Sequence, residues 1–228
     1  MCAQLGTAPV RPAVCCTPME LFFSRMSGNS GRSVFALYES GADWSPRPVD
    51  PRAAQNRQQE YLALNPMGKV PALRDGAFTL WESNAINSYV AEKYPGSGLL
   101  PTSLQGRAAV QRWLYFQAGH ITPACIPVFR ATHERARAFW GYPGDPRAAE
   151  SGRKELERFL PVLESALEDG RDWLEREFSL ADIAYAPHFA FISEGGFTFA
   201  PYPHLARWYE RLTARPAWQR TVQLLYRD

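Results

Sequence analysis

The chain has 228 residues, of which 46% are apolar and 21% are charged, and its formal net charge at pH 7 is +2. This composition is typical of a globular protein with a sizeable core and excludes a disordered chain. Basic and acidic residues are intermixed, so the charges predict no nucleic-acid partner and no membrane surface. No apolar run is long enough to span a bilayer.

The cysteine pattern indicates a reducing compartment, so we expect a cytoplasmic protein. Four cysteines and four histidines occur, with neither a C-x-x-C pair nor the spacing of metal ligands. Cys15 and Cys16 are adjacent, which suits an ordinary disulfide poorly. The sequence therefore predicts neither a metal site nor a disulfide framework.

Residues 1–18 predict a disordered extension. They are rich in Pro, Ala, Cys and Thr and lack the charged and apolar regions of a signal peptide. One hypothesis is that Met19 is the true start of the protein. An intact mass of the natively expressed protein that includes Met1 or Cys2 would exclude it.

Strands and helices alternate in the first part of the chain. A short apolar strand at residues 19–24 leads into a polar, glycine-bearing loop at residues 25–32. Apolar residues then recur at helical spacing from Ser30 until Gly41. Residues 44–49 predict a strand at a sheet edge, because two prolines interrupt it.

Residues 55–95 complete this pattern. A short helix at residues 55–64 precedes a turn, and a strand follows in which Pro71 would remove a ladder hydrogen bond unless the backbone is at an edge or cis. Asp75-Gly76 predicts a tight hairpin into residues 77–81. A helix then begins near Glu82 and ends before Pro95.

Strand signals are absent after residue 95, so the rest of the chain predicts helices. They are expected at residues 108–120, with bends towards residue 140, and at 147–167, where Pro161 should produce a kink. The run at 179–192 predicts one helix buried on all sides, opened by a capping box of Ser179 and Asp182. Two amphipathic helices at 203–214 and 217–226 close the chain.

The motif N-P-M-G-K-V-P-A-L at residues 65–73, followed by E-S-N-A-I at 82–86, resembles the cytosolic glutathione transferase superfamily. The loop S-G-N-S at 27–30 is similar to its bacterial, serine-type members, and residues 99–113 and 179–186 are similar to segments of its helical domain. This resemblance implies an α/β thioredoxin-like domain at residues 19–95, a linker at 96–103 and an all-helical domain at 104–228.

The resemblance implies that glutathione is bound and that its thiol is activated. A free thiol has a pKa of about 8.5, so only a minor part of it is thiolate near neutral pH. A hydroxyl that donates to the sulfur and the positive end of a helix would stabilise the thiolate and raise its fraction. Ser27 is the expected activating residue, with Asn29 and Ser30 as rivals that could instead cap the helix. Since the loop holds neither tyrosine nor cysteine, mechanisms based on those residues are disfavoured.

The other groups of glutathione have expected partners in the motif. Val70, before a cis Pro71, would pair with the cysteinyl backbone, as the resemblance implies. Glu82 and Ser83, at a helix start, would bind the γ-glutamyl ammonium and carboxylate. Lys69 would pair with the glycyl carboxylate.

The electrophile is expected between the two domains. Met26, Tyr115 and His120 are the candidate residues for its site, although most of the aromatic stripe around Tyr115 should belong to the core. The predicted function is transfer of glutathione to a small hydrophobic electrophile by a homodimer, since the resemblance implies dimerisation. Two alternatives stay open, namely a glutathione-dependent isomerase of the maleylacetoacetate type and a non-catalytic binding protein with the same fold.

Overall fold

The computed structural model describes residues 18–141 and 143–227. The predicted extension at residues 1–18, with Cys2, Cys15 and Cys16, therefore falls outside the described residues except for Pro18. The α/β part that follows is built from seven elements: β1 (Met19–Phe23), α1 (Gly28–Glu39), β2 (Trp44–Pro48), α2 (Gln59–Leu62), β3 (Ala72–Asp75), β4 (Phe78–Trp81) and α3 (Ser83–Lys93).

These strands form one mixed sheet in the order β2-β1-β3-β4. β1 is parallel to β2 and antiparallel to β3, and β3 is antiparallel to β4. The predicted edge position of β2 is confirmed, and it explains why Pro46 and Pro48 are tolerated there. The Val70-Pro71 peptide is cis, one of the two options that the sequence left open.

Every regular element described after β4 is helical, which confirms the predicted fold class of a thioredoxin-like domain followed by helices. The helices after α3 are α4 (Leu104–Phe116), α5 (Thr122–Thr132), α6 (Glu134–Trp140), α7 (Pro146–Ala166), α8 (Leu180–Ile183), α9 (Ala186–Glu194), α10 (Pro203–Thr213) and α11 (Pro216–Leu225). None of the helices in residues 18–141 and 143–227 has both the length and the apolar character needed to cross a membrane.

The prediction of a single helix at residues 179–192 is wrong. The chain forms α8, turns at Ala184 and Tyr185, and begins again as α9. Pro187 lies in the first turn of α9 and has no N–H, so it cannot bond to Ile183 and continue α8. The predicted burial on all sides is correct, since residues 179–192 are all buried.

Two further boundaries differ from the predictions. Residues 55–64 form a 3₁₀ turn at Gln55–Arg57 and then the short α2, instead of one helix. α4 does not bend at a proline but passes through a π-helical turn, Gln117–Ile121, into α5. Such a turn inserts an extra residue and rotates the side chains that follow it. α7 continues through Pro161 as one helix, with the proline exposed.

The capping box predicted at the start of α8 is present. The Ser179 hydroxyl accepts a hydrogen bond from the Ala181 N–H at 3.2 Å, and the Asp182 carboxylate accepts one from the Ser179 N–H at 3.0 Å. Asp182 is fully buried. The box therefore fixes α8 within the core.

A continuous apolar core joins the sheet to the helices. Its largest fully buried side chains include Phe35 of α1, Tyr185 of the turn before α9, Phe189 of α9 and Trp208 of α10. α1 packs against α3 on one side and against α9 and α11 on another. The first turn of α1 is consequently surrounded by segments from distant parts of the sequence.

Candidate active site

The loop between β1 and α1 turns sharply before the helix. Met26 has a φ of 54°, in the left-handed region, and Ser27 is extended, with φ −110° and ψ 112°. Ser27 is the N-cap of α1, because its Oγ accepts a hydrogen bond from the Ser30 N–H at 3.2 Å. The helix therefore begins at Gly28, two residues before the start expected from the sequence.

Ser27 faces a cavity of about 190 Å³, which we call the Ser27 cavity. Among the described residues, the Ser27 hydroxyl only accepts a hydrogen bond, so its hydrogen is directed to no protein partner there. The cavity is lined by Met26, Ser27, Gly28, Asn29, Ile126, Phe129, Arg130, Trp140, His188 and Phe191. Five of these residues have apolar side chains, and the polar ones include Asn29, Arg130 and His188.

The two rivals of Ser27 have different surroundings. Ser30 is fully buried, and its Oγ accepts a hydrogen bond from the Ser24 N–H at 3.3 Å. Asn29 is exposed and borders the Ser27 cavity. Of the three residues, Ser27 alone combines a place in this cavity with a hydroxyl at the helix N-terminus.

A second cavity, of about 410 Å³, lies at the start of α3, and we call it the Glu82 cavity. Ser83 is buried at the first position of α3, and Glu82 before it is exposed with a φ of 70°. Backbone outliers of this kind cluster at functional sites. The cavity is lined by Asn29, Arg32, Glu82, Ser83, Asn84, Ala85, Ser88, Gln111, Leu114, Tyr115, Ala118 and Thr122.

The Lys69-Val70-Pro71 segment leads into β3. The Lys69 side chain is exposed, while its backbone carbonyl accepts hydrogen bonds from Tyr61 Oη at 2.6 Å and Asn65 Nδ2 at 2.7 Å. These bonds fix the backbone just before the cis peptide. A Cβ on Gly68 would lie 2.9 Å from Arg57 Nη1, so a second cation, which the sequence analysis missed, is near Lys69.

The structure separates the three residues expected to bind the electrophile. Met26 lines the Ser27 cavity, whereas Tyr115 lines the Glu82 cavity and is 74% exposed. His120 borders neither of them. It lies in a groove beside α7, where its ring is 4.9 Å from that of Phe159. His120 is inside the π-helical turn, whose altered rotation could not be read from α-helical spacing.

A buried polar cluster connects the two cavities. The guanidinium of Arg32 donates to Gln117 Oε1 at 2.8 Å and to Thr122 Oγ1 at 3.2 Å, and its Nη2 lies 2.9 Å from His188 Nδ1. Burial lowers the pKa of Arg32 to about 10, so the group stays charged at neutral pH. His188 was missed because a lone histidine in an apolar run gives no signal of a site.

Cys125, the one cysteine among the described residues, is not suited to thiol chemistry. Cys125 is fully buried in α5, and burial raises the pKa of its thiol far above the ordinary value. Reactive cysteines have the opposite character, namely a lowered pKa and exposure. In the described part of the chain, no group of three or more His, Cys, Asp or Glu residues could hold a metal ion.

Comparison with known proteins identifies the family. The model of the glutathione S-transferase N-terminal domain matches residues 17–92, and that of the C-terminal domain matches residues 130–211. Glutathione S-transferase 3 of Zea mays is 36% identical and covers 90% of this chain and 93% of its own length. The probable glutathione S-transferase GSTF2 of Oryza sativa subsp. japonica is 32% identical, with coverages of 91% and 97%.

A solved structure agrees with these relatives. The theta class glutathione S-transferase of Xanthomonas axonopodis pv. citri, with glutathione bound, superposes with a TM-score of 0.81 at 29% identity, covering 90% of this chain and 98% of that one. The chain therefore belongs to the glutathione S-transferase family, whose members are transferases. The curated relatives named here are plant proteins, and these comparisons establish membership of the family without assigning a subgroup.

Proposed function

We propose that the protein transfers glutathione to a small hydrophobic electrophile by a serine-type mechanism, in which Ser27 activates the thiol. The observation that carries this proposal is the arrangement of Ser27. Its oxygen caps α1, while its hydroxyl borders a cavity that has both apolar and polar walls. The hydroxyl can therefore donate to a sulfur anion that also faces the positive end of the helix.

The energies are sufficient for this role. A hundredfold gain in thiolate corresponds to about 2.7 kcal/mol. A hydrogen bond to a charged group contributes roughly 1.5 to 3 kcal/mol, and a helix N-terminus adds about 0.3 to 1 kcal/mol. Ser27 and the first turn of α1 together can supply this amount.

Glutathione would extend from the Ser27 cavity towards the start of α3. Ser83 and the exposed N–H groups of α3 would bind the γ-glutamyl carboxylate, and Glu82 would accept from its ammonium. The cysteinyl backbone would pair with Val70 before Pro71. Lys69 would pair with the glycyl carboxylate.

The electrophile would occupy the apolar part of the Ser27 cavity, with Met26 as one wall. Tyr115 borders the Glu82 cavity, so we assign it to the glutathione side and leave His120 out of the site. The enzyme would act as a homodimer, as the resemblance to the family implies. The protein would be cytoplasmic, since its cysteine pattern fits a reducing compartment.

The Ser27→Ala variant tests the proposed role of the hydroxyl. We expect glutathione to bind the variant within a fewfold of wild type in calorimetric titration, since the partners at Val70, Glu82 and Ser83 are unchanged. We expect kcat/KM for conjugation to fall about a hundredfold, because stabilisation of the thiolate is lost.

The control is Ser103→Ala. Ser103 caps α4 just as Ser27 caps α1, with its Oγ accepting from the Gly106 N–H at 3.1 Å, but it lies outside both cavities. Each variant loses one cap, worth about 1 kcal/mol of stability. If both variants lose activity equally, Ser27 is only a cap. A wild type that binds no glutathione would contradict the proposed function as a whole and favour a non-catalytic protein.

A further inference from the structure

His188 of α9 is packed against the first turn of α1. It is buried, and a Cβ placed on Gly28 would lie 2.6 to 2.9 Å from three atoms of the imidazole ring. Real side chains do not approach so closely. The absence of a side chain at Gly28 therefore lets the ring reach the residue that follows Ser27.

Arg32 determines which nitrogen of His188 carries the hydrogen. His188 Nδ1 lies 2.9 Å from Arg32 Nη2, and a guanidinium has donors only. Nδ1 must accept this hydrogen bond, so the hydrogen of the neutral ring is on Nε2. Burial and the charge of Arg32 both lower the pKa of His188 well below its ordinary value, so the ring stays neutral.

The Nε2–H of His188 has no acceptor among residues 18–141 and 143–227. His188 lines the Ser27 cavity together with the apolar side chains of Met26, Ile126 and Phe129 and the charged side chain of Arg130. A donor without a protein partner at the wall of a cavity can be satisfied by water or by an acceptor of a bound ligand. It is therefore suited to a ligand that carries an acceptor oxygen.

We propose that the His188 Nε2–H donates a hydrogen bond to a carbonyl oxygen of the electrophile, so that the enzyme prefers conjugated carbonyl compounds to alkyl halides. This inference rests on the proposed function, because it takes the Ser27 cavity as the electrophile site. His188 would touch the substrate directly. Arg32 would act as a positioning residue that fixes the ring and its tautomer.

The preference follows from where charge develops in each reaction. When the thiolate attacks the β-carbon of an enone, a C–S bond forms, the C=C π pair moves next to the carbonyl and its oxygen becomes an enolate. Water then protonates the α-carbon to give the thioether and hydroxide, which takes up the proton that the thiol had released. The Nε2–H stabilises the enolate oxygen. With an alkyl halide the charge leaves on the halide, and no oxygen is stabilised.

Two variants of His188 separate the donor from a structural role. The side-chain nitrogen of Gln can occupy the place of Nε2 and keep the donor, while Asn reaches only the place of Nδ1 and keeps the acceptor for Arg32. The electrophiles are 4-phenylbut-3-en-2-one and benzyl chloride. We expect His188→Asn to lose tenfold or more in kcat/KM for the enone and less than threefold for the halide, and His188→Gln to retain both within about threefold.

A role confined to holding Arg32 would give the opposite order, with His188→Gln worse than His188→Asn and equal losses for both electrophiles. A lowered thiolate fraction in the glutathione complex of His188→Asn would also overturn the assignment, since it would place the donor at the sulfur. Thermal unfolding of both variants identifies losses that come from misfolding.

A measurement on wild type alone keeps the proposal testable if a variant does not fold. The conjugate S-(3-oxobutyl)glutathione should bind several-fold tighter than S-butylglutathione in calorimetric titration, because only the ketone accepts from Nε2. Equal affinities would refute the proposed role of His188 but not the proposed function. Failure of wild type to bind glutathione or either conjugate would refute the proposed function and this inference together.

Discussion

The carboxylate of Asp182 is the most heavily hydrogen-bonded side chain of the buried capping box. Besides the Ser179 N–H, it accepts from the Leu174 N–H at 2.9 Å and from Trp208 Nε1 at 2.8 Å. These bonds lower its pKa, but the loss of solvation is the larger effect and raises the pKa to about 6. The folded protein therefore holds this proton more tightly than the unfolded chain, whose carboxyl has a pKa near 3.8.

This difference predicts how stability depends on pH. Between about pH 4 and pH 6 the folded state binds more protons at Asp182, so the free energy of unfolding should fall as pH rises. Relative to Asp182→Asn, wild type should lose about 1 to 3 kcal/mol across this window. Urea unfolding of both proteins at pH 4, 5, 6 and 7 measures the difference, and parallel curves would show that Asp182 does not titrate there.

At the residue scale the sequence favoured Ser27 as the activating residue but kept two rivals in the same loop. Ser27, Asn29 and Ser30 are all small polar residues near a helix start, and helical spacing suggested that the helix begins at Ser30. The choice among them depends on burial, because Ser30 points into the protein and bonds to Ser24. The contact between Ser30 and Ser24 could not be predicted from the sequence, because it depends on how the loop packs against the core.

At the scale of elements, α1 depends on small residues that let other helices approach it. A Cβ on Gly31 would lie 2.0 Å from the hydroxyl of Tyr226, just beyond α11, and 3.1 Å from Pro187 of α9. Tyr226 is buried, and its hydroxyl donates to the Ser27 carbonyl at 3.4 Å. The end of the chain therefore supports the loop that carries Ser27.

The Gly31→Ala variant should consequently be destabilised. Overpacking of a tight contact costs about 1 to 3 kcal/mol, and displacement of Tyr226 should also lower the conjugation activity. Gly119→Ala is the matched control, since a Cβ there meets no atom within 4 Å. Because alanine has a higher helix propensity than glycine, this control should keep its stability or gain up to about 1 kcal/mol. Equal melting temperatures for the two variants would contradict the close approach of Tyr226 to α1.

The elements that the sequence predicted well are those with a strong periodicity or a distinctive turn. The hairpin at Asp75-Gly76, the edge strand β2 and the long α7 are of this kind. The split of α8 from α9 was missed because apolar character continues across Ala184 and Tyr185, although Pro187 marks the new helix. The π-helical turn, which contains His120, was missed because its rotation arises from packing.

At the scale of the whole molecule, groups from three distant parts of the chain meet at the Ser27 cavity. The β1–α1 loop supplies Ser27, α5 supplies Ile126 and Phe129, and α9 supplies His188. An ion pair joins the far end of α1 to the start of α11, where Arg215 Nε lies 2.6 Å from Glu39 Oε1. The site therefore depends on the contact between the sheet domain and the helices.

The proposed homodimer is tested by the mass of the native particle. One chain has a mass of 25.7 kDa, so light scattering should give about twice that value at micromolar concentration. Large apolar side chains are exposed on the sheet domain, with Met67 49% and Phe78 47% exposed, and burial against a second copy would remove such surfaces from water. A mass equal to that of a single chain would contradict the dimer.

The most direct test of the account is the titration of the thiol in bound glutathione. Its thiolate absorbance in the ultraviolet would be followed against pH in wild type, Ser27→Ala and Ser103→Ala. We predict that the pKa of the bound thiol lies well below the free value of about 8.5 in wild type and Ser103→Ala and returns towards it only in Ser27→Ala. A lowered thiol pKa that persists in Ser27→Ala would show that another group activates glutathione.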